Sequence, residues 1–263
     1  MENRAVLPAV ISMQILAAAL SREYPERCID SVYDAFFPRF LVLPQGGGNM
    51  DLVSTFEVCH DGRVSASLLT RCRRRSITRY LEHAKCRFGP ADKRPHPPAK
   101  AIQKLRRAVS FDVDPQRIYN ELVPFGKAFQ NIVSPARLTA AGGTADIHAG
   151  QGGDDLFRPL GPPFLLDAAF HLACVWGQWH TGFVTFPVAI RRRVLFGNRL
   201  SCRRCCAVAL YQGGRSDSGT RLFFDIWILN GAHKPVEAAL GVEMLDVSGG
   251  RRKPPQWIRR DSG

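Results

Sequence analysis

The stretch Gly161-Pro162-Pro163-Phe164-Leu165-Leu166-Asp167-Ala168-Ala169-Phe170-His171-Leu172-Ala173-Cys174-Val175-Trp176 constrains this chain more than any other. It reads as a helix over roughly 164–179 that is apolar on nearly every side, and such a helix must be surrounded by protein. Pro162 and Pro163 suit its first turn, where backbone N–H groups have no helical partners. Two groups break the apolar run. Asp167 and His171 stand four residues apart, so their side chains share one helix face. Burial raises a carboxyl pKa, whereas a helix N-terminus or a charged imidazole lowers it. The pair therefore reads either as an acid poised near neutrality or as a buried cap beside a packed ring.

A second helical pattern, Ala9 to Leu20, also follows a proline, Pro8, and carries Ile11, Ile15, Leu16, Ala19 and Leu20 on one face. Each helix precedes a run of strand-like segments. In the first half these are 29–43, broken at Pro38, and a hairpin of Asp51–Val58 and Val64–Arg71 turning at His60-Asp61-Gly62. The second half shows strands near 132–140, 144–148, 181–190, 199–211, 220–229 and 235–246, with Gly213-Gly214 and Asn230-Gly231 as turns. Between the halves, residues 88–117 are rich in proline, lysine and arginine and read as a linker holding a short helix, about Lys100 to Ala108. The expected units are 1–87, the linker 88–117, 118–247 and a basic tail, 248–263. The economical packing is α+β: an antiparallel sheet curled around a long apolar helix, twice.

Composition removes several alternatives. No run of 18 apolar residues predicts a membrane span, and the opening residues do not follow a signal-peptide plan. Eight cysteines in 263 residues do not suggest a disulfide scaffold, and a reduced, cytoplasmic setting fits. Cys202-x-x-Cys205-Cys206 lacks the second pair a structural zinc site wants, so no metal is expected. The net charge of +13 allows nucleic acid, an anionic membrane or an acidic protein as partner. Arginines cluster at 71–75, 106–107, 191–193, 203–204 and 251–252 with no nucleic-acid-binding module around them, which favours an acidic protein or a phosphate-bearing ligand.

With both halves laid out, the chain resembles the dehydratase domains of polyketide and polyunsaturated-fatty-acid synthases, which have a double hotdog fold. Three motifs carry the resemblance. Asp167-Ala168-Ala169-Phe170-His171 is similar to the Asp-x-x-x-Gln/His of the family's second hotdog helix, and Gly161 to Leu166 to its lead-in. Tyr119 followed by Phe125-Gly126-Lys127-Ala128-Phe129-Gln130 is similar to the stretch that opens the second hotdog, with Phe125 in place of Tyr or His. Phe186-Pro187-Val188-Ala189 is similar to the segment after the helix. The family's general base, the His of H-x-x-x-G-x-x-x-x-P, has no counterpart: Leu7-Pro8 matches the end of that motif, Asn3 stands at its Gly, and the His would fall just before Met1. Either the reading frame opens upstream or the first hotdog has lost its base; the presence of both Asp167 and His171 favours the first.

The resemblance implies removal of water from a 3-hydroxyacyl thioester. The α-proton needs a base, and the departing hydroxyl needs a proton from an acid. By resemblance, Asp167 is the acid and His171 orients it. Backbone N–H groups at the 164–179 helix N-terminus polarise the thioester carbonyl. Tyr119, Phe125, Gly126, Phe129 and Pro187 wall the substrate tunnel. No cofactor is implied. The substrate would ride on the phosphopantetheine of an acidic acyl carrier protein, which a basic chain attracts, through arginines such as 191–193 and 203–204. Four other histidines read as poor bases: His60 at a hairpin turn, His83 and His96 in or near the linker, His148 beside a Gly-rich loop. The alternative is a non-catalytic hotdog module that holds acyl chains or a carrier.

Overall fold

The computed structural model describes residues 5–46, 48–74, 77–150, 159–197, 203–215 and 221–259. Arg75, Cys202 and most of the 150–159 loop therefore lie outside the described residues. Two long helices, α1 (Ala9–Glu23) and α4 (Phe164–Thr181), carry the plan expected from the sequence. Residues 164–179 are all buried. Helix α4 stops at Gly182, which takes φ 67° and donates its N–H to the Gln178 carbonyl, the left-handed ending that glycine adopts without a Cβ clash.

Around the helices runs one antiparallel sheet of eleven strands in the order β4-β5-β6-β2-β10-β13-β12-β11-β9-β8-β7. Its members are β2 (Ser31–Phe36), β4 (Leu52–Val58), β5 (Val64–Arg74), β6 (Ile77–Gly89), β7 (Phe111–Val113), β8 (Ala136–Thr139), β9 (Gly142–His148), β10 (Phe186–Leu195), β11 (Arg204–Arg215), β12 (Arg221–Leu229) and β13 (Pro235–Leu245). The two curled sheets of a double hotdog are thus continuous, joined where β2 of the first half pairs with β10 of the second. A separate two-stranded ladder, β1 (Val6–Leu7) with β3 (Leu41–Val42), ties the N-terminal segment to the first half.

Register sets what faces the helices. One cross-strand row reads Val64, Phe88, Val32, Arg193, Ala239, Ile226, Ala209, Gly143. Every member is buried, and all but one are apolar or glycine. The exception, Arg193, is fully buried and its Nε lies 2.6 Å from Glu237 Oε1 on β13. This corrects the expectation that the 191–193 run contacts an acidic carrier as a unit. Side chains alternate faces along a strand, so Arg193 turns inward while half-buried Arg192 turns the other way, to the Lys93 carbonyl.

Two further differences concern the first half and the linker. Residues 77–89 form β6, a strand whose outer face is charged, and His83 lies within it, not in a linker. Phe111–Val113, inside the expected linker, adds to β8 as the last strand of the sheet. The short helix is present as α2 (Ala99–Arg107), with Ile102 and Leu105 packed on Val208, Leu210 and Trp227 at the outer face of the second half. A three-residue helix, α3 (Pro115–Arg117), runs into a π-helical turn, Ile118–Leu122.

Candidate active site

Helix α4 brings Asp167 into its first turn, where the Asp167 N–H makes the opening helical hydrogen bond to the Pro163 carbonyl at 3.1 Å. The turn before it is fixed from the other half, because Gln14 of α1 donates its side-chain amide to the Gly161 carbonyl. Asp167 and His171 are each 4% exposed, and Asp167 Oδ2 stands 3.2 Å from His171 Nε2. Their relative orientation does not make a hydrogen bond: among the described residues, Asp167 Oδ2 and both ring nitrogens of His171 have no hydrogen-bond partner. Phe125 lies 4.6 Å and Tyr119 5.8 Å from the His171 ring, centroid to centroid. This apolar packing sets the protonation. Burial pushes the Asp167 carboxyl up to about 8 and the His171 imidazole down to about 3, because the charged form of each has lost its water. At neutral pH the pair is a neutral carboxylic acid beside a neutral ring.

Both side chains line a cavity of about 660 Å³. Its walls come from both halves: Val6, Leu7, Pro8, Ala9 and Ser12 from β1 and α1, Phe36 to Val42 from β2, β3 and their connection, and Val123, Phe125, Phe170 and Cys174 from the second half. Thr185 to Val188 complete one side, so Pro187 is on the wall as expected. Arg39, Arg221 and Glu243 supply charge, the last two bound to each other. Cys174 is no nucleophile at neutral pH, since burial pushes its thiol up to about 11. The volume and apolar lining are those of a small-molecule pocket.

Three residues expected on the wall do not line this cavity. Tyr119 stands behind His171, buried, with its hydroxyl accepting from the Ile132 N–H at 2.8 Å. Phe129 packs on Phe125 and Phe164 outside the cavity, and Gly126 is exposed at the turn. A tyrosine and a phenylalanine beside a helix read equally well as wall or as support, and only packing separates the two. Sequence reasoning missed His83, which lines the same cavity. It is 6% exposed, with Nε2 2.8 Å from Thr70 Oγ1. Burial lowers its pKa, more than the nearby backbone carbonyls of Arg39 and Phe40 raise it. Of the other histidines, His60 is exposed in its turn and His96 is exposed. Among the described residues, no cluster of His, Cys, Asp and Glu has the arrangement of a metal site.

Comparison with known proteins agrees with this geometry. The family model described as polyketide synthase dehydratase N-terminal domain matches residues 95–254. Among solved structures, the chain is similar to the dehydratase domain of a mycocerosic acid synthase-like polyketide synthase, with 19% identity over 92% of this chain and 83% of that one, at a TM-score of 0.70. It is also similar to a trans-AT polyketide synthase dehydratase domain from Brevibacillus brevis, with 12% identity over 93% and 86% of the two chains and a TM-score of 0.74. A third is the dehydratase domain of PpsC from Mycobacterium tuberculosis in complex with C12:1-CoA, with 18% identity over 92% and 85% and a TM-score of 0.64. No curated protein is a significant match.

Proposed function

The chain belongs to the polyketide synthase dehydratase family, and on that premise we propose that its cavity removes water from 3-hydroxyacyl thioesters, with Asp167 as the acid. The observation that carries the reading is a carboxyl buried beside His171 on the wall of an apolar cavity of substrate size, where the loss of water raises its pKa. Expulsion of hydroxide from the β-carbon is slow unless a proton arrives as the C–O bond breaks. A carboxyl with pKa near 8 is both present in its acid form and willing to give the proton up.

In this reading the α-C–H bond breaks toward a base, its electrons become the Cα=Cβ bond, and the β-oxygen leaves as water with the Asp167 proton. The base returns its proton through solvent, and the carboxylate regains one. No cofactor enters. His171 flanks the acid at 3.2 Å; its neutral ring closes with the carboxylate as the proton leaves, which steadies the charge that forms. The resemblance gives the base role to a histidine N-terminal to the stretch matched by Leu7-Pro8, and the lining of the cavity by Val6 to Ala9 supports that side for it. Residues 1–87 and 118–247 act as the two hotdogs, with 88–117 between them and 248–263 as a tail. Phe125, Phe170 and Pro187 hold the acyl chain.

The PpsC relative was solved with an acyl-CoA, which supports a thioester ligand here. An acidic acyl carrier protein suits the net charge of +13. Its contact would use exposed Arg191 and Arg203 rather than Arg193. No helix among the described residues is long and apolar enough to cross a membrane, and the reading places the reaction in the cytoplasm.

The test offers a 3-hydroxyacyl pantetheine thioester to the full-length gene product and follows the enoyl thioester. Conversion that falls by about 10³-fold or more in Asp167→Asn supports the reading, since the variant keeps the shape and loses the proton. Equal rates in the two proteins would overturn it. Binding without conversion would leave a module that only holds acyl chains.

A further inference from the structure

The cavity wall includes a buried histidine, His83, that the proposed reaction does not use. His83 is the extra residue of a β-bulge: Leu68 pairs with Ala84 and Leu69 with Glu82, which leaves His83 without a partner across the ladder. An inserted residue breaks the strict alternation of faces, and such bulges re-aim side chains. Here both His83 and Ala84 turn inward, 6% and 1% exposed. The ring is then fixed at one nitrogen, because Nε2 meets the hydroxyl of Thr70, itself 8% exposed, at 2.8 Å. The other nitrogen, Nδ1, is buried and has no hydrogen-bond partner among the described residues. The backbone carbonyls of Arg39 and Phe40 and the Arg39 charge lie near the ring, but neither carbonyl meets Nδ1 in hydrogen-bond geometry, and the cavity wall around them is largely apolar.

A plain alkyl chain filling this cavity leaves Nδ1 unsatisfied. A chain with an oxygen at that point satisfies it. The Thr70 hydroxyl donates or accepts equally well, so the neutral ring takes whichever tautomer the ligand needs. Nδ1 then donates to a ketone or accepts from a hydroxyl. His83 comes from β6 of the first half, and Asp167 from α4 of the second. Both line the one cavity, so a chain anchored at Asp167 through its β-hydroxyl can present a later atom to His83.

We propose that His83, held by Thr70, is a specificity subsite for a hydroxyl or ketone oxygen on the acyl chain beyond the β-carbon, so that the cavity selects oxygen-bearing chains over fully reduced ones. The inference rests on the reading of the cavity as an acyl site.

Calorimetry with pantetheine amides of 3-hydroxyacyl chains of equal length tests it. One chain carries an alkyl tail; two others carry a hydroxyl at C5 or at C7. The full-length protein is expected to bind one of the oxygenated chains about tenfold more tightly than the alkyl chain, the scale of one buried neutral hydrogen bond. His83→Phe is expected to erase that preference and keep alkyl-chain affinity within about twofold. His83→Gln, which retains a polar end, and Thr70→Val, which keeps the ring but frees it, are expected to fall between, and they serve if the phenylalanine variant does not fold. A preference that survives His83→Phe overturns the subsite. So does wild-type preference for the alkyl chain, or loss of turnover on every chain alike in His83→Phe, which would make His83 part of the proton transfer. Failure of all three amides to bind the wild-type protein sinks the acyl-site reading itself, a result distinct from binding without discrimination.

Discussion

Replacing Asp167 by Asn should make the protein more stable in alkali than it is now. The sign follows from the proton affinities. The carboxyl titrates near 8 when folded and at its ordinary value of 3.8 when unfolded. Between these values the folded state binds a proton that the unfolded state does not, so stability falls as pH rises. His171 works the other way. Its ring titrates near 3 when folded and at 6.5 when unfolded, so the unfolded state holds the extra proton and stability rises with pH up to 6.5. From about pH 4 to 6.5 the two slopes oppose each other. Above 6.5 only the carboxyl still titrates, and stability declines until it has ionised. At 1.36 kcal/mol per pKa unit, flattening as the titration completes, the loss between about pH 6.5 and 9 is about 2 kcal/mol. Urea denaturation of wild type and Asp167→Asn at half-unit steps over this range measures it, with the difference between the two proteins cancelling all other titrations. The wild type should lose about 2 kcal/mol relative to the variant. Parallel curves would refute the argument, and with it the claim that burial holds this carboxyl neutral.

The dehydration rate should fall above about pH 8, where Asp167 loses its proton; a pH–rate profile flat through pH 9 would assign the acid elsewhere. Glu237→Ala should destabilise the fold by about 3–5 kcal/mol, because it strands the buried Arg193 guanidinium, whose Nη1 and Nη2 already have no partner among the described residues; denaturant midpoints read this directly. Trp176→Ala should cost about 3–5 kcal/mol, since the fully buried indole packs on Tyr211 and Phe224 and donates to the Thr139 carbonyl at 2.7 Å. A shift under about 1 kcal/mol would mean the second half tolerates a hole at its centre.

The parts of the fold that were legible in the sequence are those written in local chemistry. Helix α4 announces itself through two prolines and an unbroken apolar run, and the β4–β5 hairpin through Asp61-Gly62, where Gly62 takes φ 77°. Asp167 and His171 were legible because two polar groups at helical spacing stand out against that run. What was illegible depends on tertiary context. Strand β6 carries Arg79, Glu82, Lys85 and Arg87 and has no apolar alternation until its last third, so the sequence marks no strand there, next to the expected linker. A one-residue bulge leaves no sequence mark, and without it His83 cannot be aimed. Arg191, Arg192 and Arg193 look like a single patch, yet a strand divides them between its two faces. Tyr119, which the resemblance puts on the tunnel wall, stands behind it with its hydroxyl accepting from the Ile132 N–H, a contact no local pattern shows.

The most direct measurement is a crystal structure of the full-length protein with a non-hydrolysable 3-hydroxyacyl pantetheine amide. The account predicts the acyl chain inside the cavity between Phe125, Phe170 and Pro187, with its β-hydroxyl within about 2.6–3.2 Å of the Asp167 carboxyl, the reach of a proton donor. A chain bound elsewhere, or one in the cavity with its β-hydroxyl turned away from Asp167, would contradict it.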